Sequence, residues 1–174
     1  MSEEQKRILE KQLWAVANTL RGRMNADEYK VDSLGFIFYK YLSEKLELYV
    51  NDKLLAREDF TYTDIDPKSK DGTDQLDTIK DLALDHLGFF LGPRELFSYI
   101  VAKGKGETKV ESTFIIEDLQ NVLNTIERTA MGTDSEDDFK GLFDDVDLTS
   151  SKLGRTEKEK NDTVNEVLSH LAGI

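Results

Sequence analysis

Residues Leu34 to Glu47 read "LGFIFYKYLSEKLE" and place four aromatic and four aliphatic side chains within fourteen positions. Three structures could account for so apolar a stretch: a membrane span, a platform of rings that stack on nucleic-acid bases, or a buried central helix. A membrane span needs about 20 predominantly apolar residues. Charged side chains interrupt this stretch at Lys40 and Glu44. The stretch is therefore too short to span a membrane.

The helical periodicity of the same stretch favours a buried helix. One face carries Leu34, Ile37, Phe38, Tyr41, Lys45 and Leu48, and the apolar surface is widened to nearly the whole circumference by Phe36, Leu42, Leu46 and Tyr49. Because such a helix is typically buried on several sides, we predict that Phe38 and Tyr41 lie in the core. Base stacking and a partner's groove remain as alternatives. The capping pattern "NADE", Asn25 to Glu28, predicts a helix start near Ala26.

The rest of the chain repeats the helical pattern and predicts an all-α fold. The first helix follows a cap at Ser2 and Gln5, and its apolar residues are Leu9, Leu13, Val16, Ala17 and Leu20. A polar loop, residues 61–75, precedes a third helix that ends at Gly88 and carries Leu76, Ile79, Leu82, Ala83 and Leu87. Pro93 opens a fourth helix that Gly104 closes, the fifth carries Ile115, Leu119, Val122, Leu123 and Ile126, and the last follows a cap at Thr156 and Glu159 and carries Val164, Val167, Leu168 and Leu171. Between the last two, residues 139–146 suggest a short amphipathic turn. A short piece around Lys109 to Phe114 could be extended.

Composition limits what this chain can do. Its 174 residues carry a formal net charge of −12, with a pI near 4.6. This excludes a protein that coats nucleic acid through its net charge, so any DNA contact must be local. The absence of cysteine excludes disulfides, thiolate nucleophiles and Cys-based zinc sites. With an N-terminus that is charged from its third residue, we expect no signal or transit peptide and a cytoplasmic location.

Few side chains are candidates for catalysis. The two histidines, His86 and His170, fall in predicted helices beside apolar neighbours, which favours partly exposed surface histidines. The "GKG" at Gly104 to Gly106 resembles the start of a nucleotide-binding loop, but Lys109 stands where its third glycine would be. We therefore interpret Gly104 as a helix stop.

The acidic run from Asp134 to Asp147 contains seven carboxylates and one lysine. A calcium-binding EF-hand loop needs glycine at its sixth position and glutamate at its twelfth, where this run has Phe139 and Asp145. A solvated face or a surface for a protein partner is the better interpretation. Nothing in the chain predicts a catalytic, cofactor-binding or metal-binding residue.

Two blocks of sequence carry a resemblance to a known family. Residues 13–47 read "LWAVANTLRGRMNADEYKVDSLGFIFYKYLSEKLE", and residues 139–161 read "FKGLFDDVDLTSSKLGRTEKEKN". The first resembles the N-terminal helical domain of the modification (M) subunit of type I restriction-modification systems. The second resembles the stretch just before the methyltransferase domain of that family. Accordingly we assign residues 1–132 to a helical N-terminal domain, and residues 133–174 to an acidic linker and helix leading toward a methyltransferase domain.

The resemblance implies a parent protein that transfers a methyl group from S-adenosylmethionine to the amino group of adenine in DNA. It implies a complex with a specificity (S) subunit, a second M subunit and a restriction (R) subunit. The Asn-Pro-Pro-aromatic catalytic motif and the glycine motif for the cofactor lie outside this sequence, whose two prolines, Pro67 and Pro93, are far apart. We therefore expect an N-terminal part of such a subunit, without a cofactor of its own.

The resemblance also implies that this domain belongs to a clamp closed around duplex DNA. The residues expected to contact phosphate are Lys103, Lys105 and Lys109, together with Arg21, Arg23 and Lys30 around the first interhelix turn. The same charges could serve only solubility. A competing hypothesis is a non-catalytic all-α module that binds proteins through its acidic face and never contacts DNA.

Overall fold

The computed structural model describes residues 2–20 and 26–173, without the side chains of residues 9, 12, 13, 20 and 26–32. The described α-helices are α1 (Glu3–Leu20), α2 (Ala26–Tyr49), α3 (Lys70–His86), α4 (Phe97–Gly104), α5 (Ile116–Ala130), α6 (Glu136–Phe139) and α7 (Glu157–Ala172). A π-helix, Val50–Leu55, continues α2, and a 3₁₀ helix spans Tyr62–Asp64. No strand occurs in these described ranges, so the all-α prediction is confirmed. None of their helices is both long enough and apolar enough to cross a membrane.

Side-chain caps begin α1 and α7 where the sequence predicts them. At α1, the Ser2 amide donates to Gln5 Oε1 at 2.8 Å and the Gln5 amide donates to Ser2 Oγ at 3.1 Å, which completes a capping box. At α7, Thr156 Oγ1 accepts from the Glu159 amide at 3.1 Å. These starts depend on residues three positions apart, and the prediction is confirmed at both.

The helix α3 begins inside the stretch that the sequence predicts to be a polar loop. Ser69 Oγ accepts from the Gly72 amide at 2.9 Å, and this cap starts the helix at Lys70. The helix ends at His86 and Gly88 follows with φ of +83°, so the predicted stop is confirmed.

The prediction that Pro93 opens the fourth helix is wrong. The Glu95 amide donates to the Gly92 carbonyl at 3.0 Å, and the Gly92 amide donates to Glu95 Oε1 at 2.9 Å. These two bonds close a turn around Pro93, and α4 begins only at Phe97. There the buried Ser43 Oγ accepts the Phe97 amide at 2.7 Å.

The prediction that α2 is a buried helix is confirmed for one face only, and the prediction that Phe38 and Tyr41 lie in the core is wrong. The exposed fractions on the other face are 53% for Leu34, 38% for Phe38, 59% for Tyr41 and 62% for Leu48. The buried side chains are instead Phe36, Tyr39, Leu42 and Leu46, at 6% or less. Both stripes are apolar in the sequence, but only the exposed one contains a charge, Lys45, whose Nζ lies 5.9 Å from the centroid of the Tyr41 ring. That lysine keeps its stripe toward solvent, because an unpaired buried charge is costly.

The chain forms two structural units, of which the first comprises Met1–Lys40, Val101–Glu117 and Phe143–Ile174. Within it α1 packs along α7, and Thr19 Oγ1 lies 3.4 Å from Glu166 Oε1. The apolar stripe of α7 that the sequence predicts is buried: Val164, Val167, Leu168 and Leu171 are each at most 1% exposed. The first unit therefore has a core of its own.

The second unit comprises Tyr41–Ile100 and Asp118–Leu142. Its centre holds Tyr62, which is fully buried and donates its hydroxyl to the Leu91 carbonyl at 2.6 Å. Burial raises the pKa of the Tyr62 hydroxyl. The predicted apolar stripe of α5 is also buried: Leu119, Val122, Leu123 and Ile126. The domain boundary expected after residue 132 stays a prediction.

Candidate nucleic-acid interface

The lysine loop, residues 103–115, begins at the C-terminal turn of α4. The Gly106 amide donates to the Lys103 carbonyl at 3.0 Å, and the Glu107 amide donates to the Ala102 carbonyl at 2.9 Å. This pair of bonds forms a Schellman motif, which needs a left-handed residue, and Gly106 has φ of +73°. The motif ends α4 at Gly104, as the sequence predicts, and turns the chain into the loop.

The three lysines of this loop differ in exposure. Lys105 and Lys109 are exposed, whereas Lys103 is half-buried in the last turn of α4, where its charge complements the helix dipole. Glu107 and Glu111 alternate with the lysines, so the loop has a local net charge of +1 in a chain of net charge −12. The loop therefore presents two exposed cations within an acidic protein.

Two apolar side chains of the loop are exposed and were missed by the sequence analysis. Val110 is 44% exposed and Phe114 is 49% exposed. The signal for them is an apolar residue directly after Lys109 and an aromatic one five positions beyond it. Aromatic rings beside cations are typical of surfaces that meet nucleic-acid backbones and bases.

A buried asparagine of α7 holds the far end of the loop. Asn161 is 2% exposed; its Oδ1 accepts from the Ile115 amide at 2.8 Å, and its Nδ2 donates to the Thr113 carbonyl at 3.0 Å. The piece around Lys109 to Phe114 that could be extended forms no strand, and its end pairs with this side chain instead. Sequence analysis missed Asn161, although a polar residue in line with Val164 and Leu168 on an apolar helical stripe is unusual enough to be a signal.

The near end of the loop also lies against α7. A Cβ atom added to Gly104 would overlap the side-chain amide of Asn165, so any other residue here would push that side chain aside. Asn165 lies one helical turn beyond Asn161 and therefore on the same face of α7. The structure thus holds both ends of the lysine loop on one helix.

The remaining predicted phosphate contacts are Arg21 and Arg23, which lie outside the described residues, as does the side chain of Lys30. They stay predictions. Only Lys103, Lys105 and Lys109 are placed on one segment by the structure.

The acidic run uses some of its carboxylates to bind backbone amides. Glu136 Oε2 accepts from the Gly132 amide at 2.9 Å, and Asp147 Oδ1 accepts from the amide and the hydroxyl of Thr149 at 2.9 and 2.6 Å. The hydrogen bonds from Thr149 lower the pKa of Asp147. Five others are exposed to solvent: Asp134, Asp137, Asp138, Asp144 and Asp145. Within the described ranges, no three acidic or histidine side chains converge to hold a metal ion.

Both histidines lie in helices, as predicted. His86 is exposed at the end of α3, with its ring centroid 5.5 Å from that of Tyr49. His170 is half-buried on α7, and its Nε2 lies 3.8 Å from Glu166 Oε1. These neighbours agree with a structural interpretation of the two side chains.

Comparisons with known proteins agree with one another. The family model described as the HsdM N-terminal domain matches residues 9–171. The type I restriction enzyme MpnII methylase subunit of Mycoplasma pneumoniae is 32% identical over an alignment of 174 positions, which covers 97% of this chain and 30% of that protein. The crystal structure of the type I restriction-modification system methyltransferase subunit from Streptococcus thermophilus matches with a TM-score of 0.74 and 28% identity, over 97% of this chain and 34% of that one. The chain therefore spans about a third of the length of these relatives, and it belongs to the HsdM N-terminal domain family.

Proposed function

We propose that this chain helps a type I methyltransferase subunit to hold duplex DNA and to assemble with the specificity subunit. The parent protein would transfer a methyl group from S-adenosylmethionine to adenine in DNA, in a cytoplasmic complex with a second M subunit and the restriction subunit. The relatives named above, both methylase or methyltransferase subunits of type I systems, support this proposal. The observation that carries the DNA contact is the lysine loop, which presents Lys105 and Lys109 on a segment held at both ends.

The physical role of such a domain follows from the chemistry of its parent. An adenine must be flipped out of the duplex before its amino group can be methylated. Phosphate contacts fix the register of a protein on DNA without reading the sequence. Because the chain has a net charge of −12, it repels DNA at long range, so the lysines act only after the specificity subunit has placed the complex on its site.

A photo-crosslinking experiment tests the DNA contact. A photoreactive amino acid replaces Lys109 in the methyltransferase subunit, which is assembled with its specificity subunit on duplex DNA and irradiated. The matched control carries the same group at Lys68, an exposed lysine outside the loop. We expect DNA adducts from position 109 well above those from position 68, since only the first lies in the proposed interface.

The second candidate function is a protein-interaction module, favoured by the exposed carboxylates between Asp134 and Asp147. In that case position 109 gives no more DNA adducts than position 68. A photoreactive group at Asp137 would then give adducts with a protein subunit. This combination of results would replace the DNA-clamp proposal with the module.

S-adenosylmethionine does not fit the residues of this chain. The sequence has no consecutive prolines and no complete glycine-rich motif, and the described residues include no strand to precede such a loop. We predict that calorimetric titration of the 174-residue chain with the cofactor gives no saturable heat, whereas the complete subunit binds it. A micromolar site on the chain alone would contradict this prediction.

A further inference from the structure

We propose that Asn161 is a positioning residue for DNA binding, which holds the lysine loop in the form that presents Lys109 to phosphate. This inference rests on the proposed function of the loop. It adds a residue that touches neither DNA nor cofactor and acts through the backbone of the loop.

The hydrogen bonds of Asn161 replace those that a neighbouring strand would supply. Its side-chain amide binds the Ile115 amide and the Thr113 carbonyl, the two backbone groups on either side of Phe114. Because Asn161 is 2% exposed, leaving either polar atom of its side-chain amide without a hydrogen bond would be costly. The side chain therefore supplies hydrogen-bond partners to the loop backbone, and the loop backbone supplies them to the side chain. The result is a fixed direction for the chain, with Ile115 fully buried and Phe114 pointing outward at 49% exposure.

The other end of the loop is fixed one turn away on the same helix. Gly104 lies against Asn165, and the left-handed Gly106 fixes the exit from α4. The free part of the loop is therefore short and contains Lys109 and Val110. A segment that is ordered before binding loses less conformational entropy when its lysines meet phosphate. The contribution we assign to Asn161 is therefore to keep the loop ordered so that Lys109 meets its phosphate; in a loose loop the entropy cost would be too large and that contact would be lost.

The test uses Asn161→Asp, which keeps the size of the side chain but replaces the Nδ2 donor with an oxygen. While ionised, the carboxylate still accepts from the Ile115 amide but has no proton to donate to the Thr113 carbonyl, so the measurements are made at neutral pH or above. Thr163→Val is the matched control, because Thr163 is also 2% exposed on α7 and donates to a backbone carbonyl, that of Leu153 at 2.7 Å, outside the loop. Asn161→Ser is the second variant: it adds no charge, so it separates the loss of the hydrogen bonds from the repulsion that the new carboxylate exerts on DNA, and it serves if the charged variant does not fold.

Two measurements separate positioning from general stability. Hydrogen exchange on the chain should show Ile115 and its loop neighbours losing about tenfold or more of their protection in Asn161→Asp, with no such loss in Thr163→Val. In the DNA complex of the assembled methyltransferase, the slope of log affinity against log salt should flatten by up to about 0.9, corresponding to the contact of Lys109, because Lys105 is held by the turn at the end of α4. The preferred DNA site should not change.

Each other outcome overturns a distinct statement. Unchanged protection at Ile115 would show that Asn161 does not hold the loop. If protection falls but the salt slope changes only when Lys105 and Lys109 are replaced by alanine, the lysines bind DNA without this positioning. If Thr163→Val lowers the protection of the loop amides as much as Asn161→Asp does, the loss reflects lower stability of the whole domain and not a specific role of Asn161. If the lysine replacements also leave the slope unchanged, the proposed DNA contact itself is wrong.

Discussion

Replacing Phe36 with alanine should lower the free energy of unfolding by about 3–5 kcal/mol, the usual cost of truncating a buried phenylalanine. The same change at Phe38, two residues along α2, should cost less, about 1–2 kcal/mol, because part of its ring is already exposed to solvent. Phe36 is 1% exposed and Phe38 is 38% exposed. The difference arises because only the first substitution leaves a cavity.

Urea denaturation of the two variants checks this prediction. Both remove the same side chain from the same helix, so the change in helix propensity is matched. Equal decreases in stability would return Phe38 to the core. A stable Phe38→Ala variant whose subunit assembles or binds DNA poorly would instead favour the alternatives of a partner's groove or base stacking for the exposed face of α2.

The sequence was sufficient for features that depend on near neighbours. The capping box of Ser2 and Gln5 and the cap of Thr156 on Glu159 join residues three positions apart, so their chemistry can be read directly from the chain. The apolar stripes of α5 and α7 are flanked by polar residues and leave one choice of buried face. Such elements are predictable because the local signal and the tertiary structure agree.

The buried face of α2 was predicted wrongly because this helix has two apolar stripes. Hydrophobicity alone cannot choose between the stripe of Phe38 and Tyr41 and the stripe of Phe36 and Tyr39. The charge at Lys45 lies on the stripe of Phe38 and Tyr41, and the cost of burying it favours turning that stripe toward solvent. Counting charges on each stripe would have predicted the observed orientation.

The candidate site was predictable only in part, because its support is tertiary. The sequence places Lys105 and Lys109 together, since they are near neighbours. The residue that holds their loop, Asn161, is separated from its partner Ile115 by 46 positions. No local pattern joins those two residues, so only the structure connects them. The same holds for Gly104, whose glycine stops a helix but also makes room for Asn165.

Replacing Lys103, Lys105 and Lys109 with alanine in the assembled methyltransferase should weaken DNA binding equally for all sequences. Each phosphate that no longer meets a lysine should flatten the slope of log affinity against log salt by roughly 0.9. Lys103 is half-buried and interacts with other groups within the protein, so we expect it to contribute little. The expected change is therefore about 1.8 for the triple variant, and about the same for the Lys105 and Lys109 double variant.

The control for the lysine loop is a double variant at Lys53 and Lys68, two exposed lysines elsewhere, which removes the same charge from the chain. If both double variants flatten the slope alike, the effect comes from net charge and the loop serves solubility. A change in the preferred site would mean that the loop reads bases. We do not expect that outcome, because a lysine is a flexible point charge that suits a phosphate better than the fixed donors and acceptors of a base edge. If only the Lys105 and Lys109 variant flattens the slope, and does so equally for all DNA sequences, the loop binds phosphates and does not read bases.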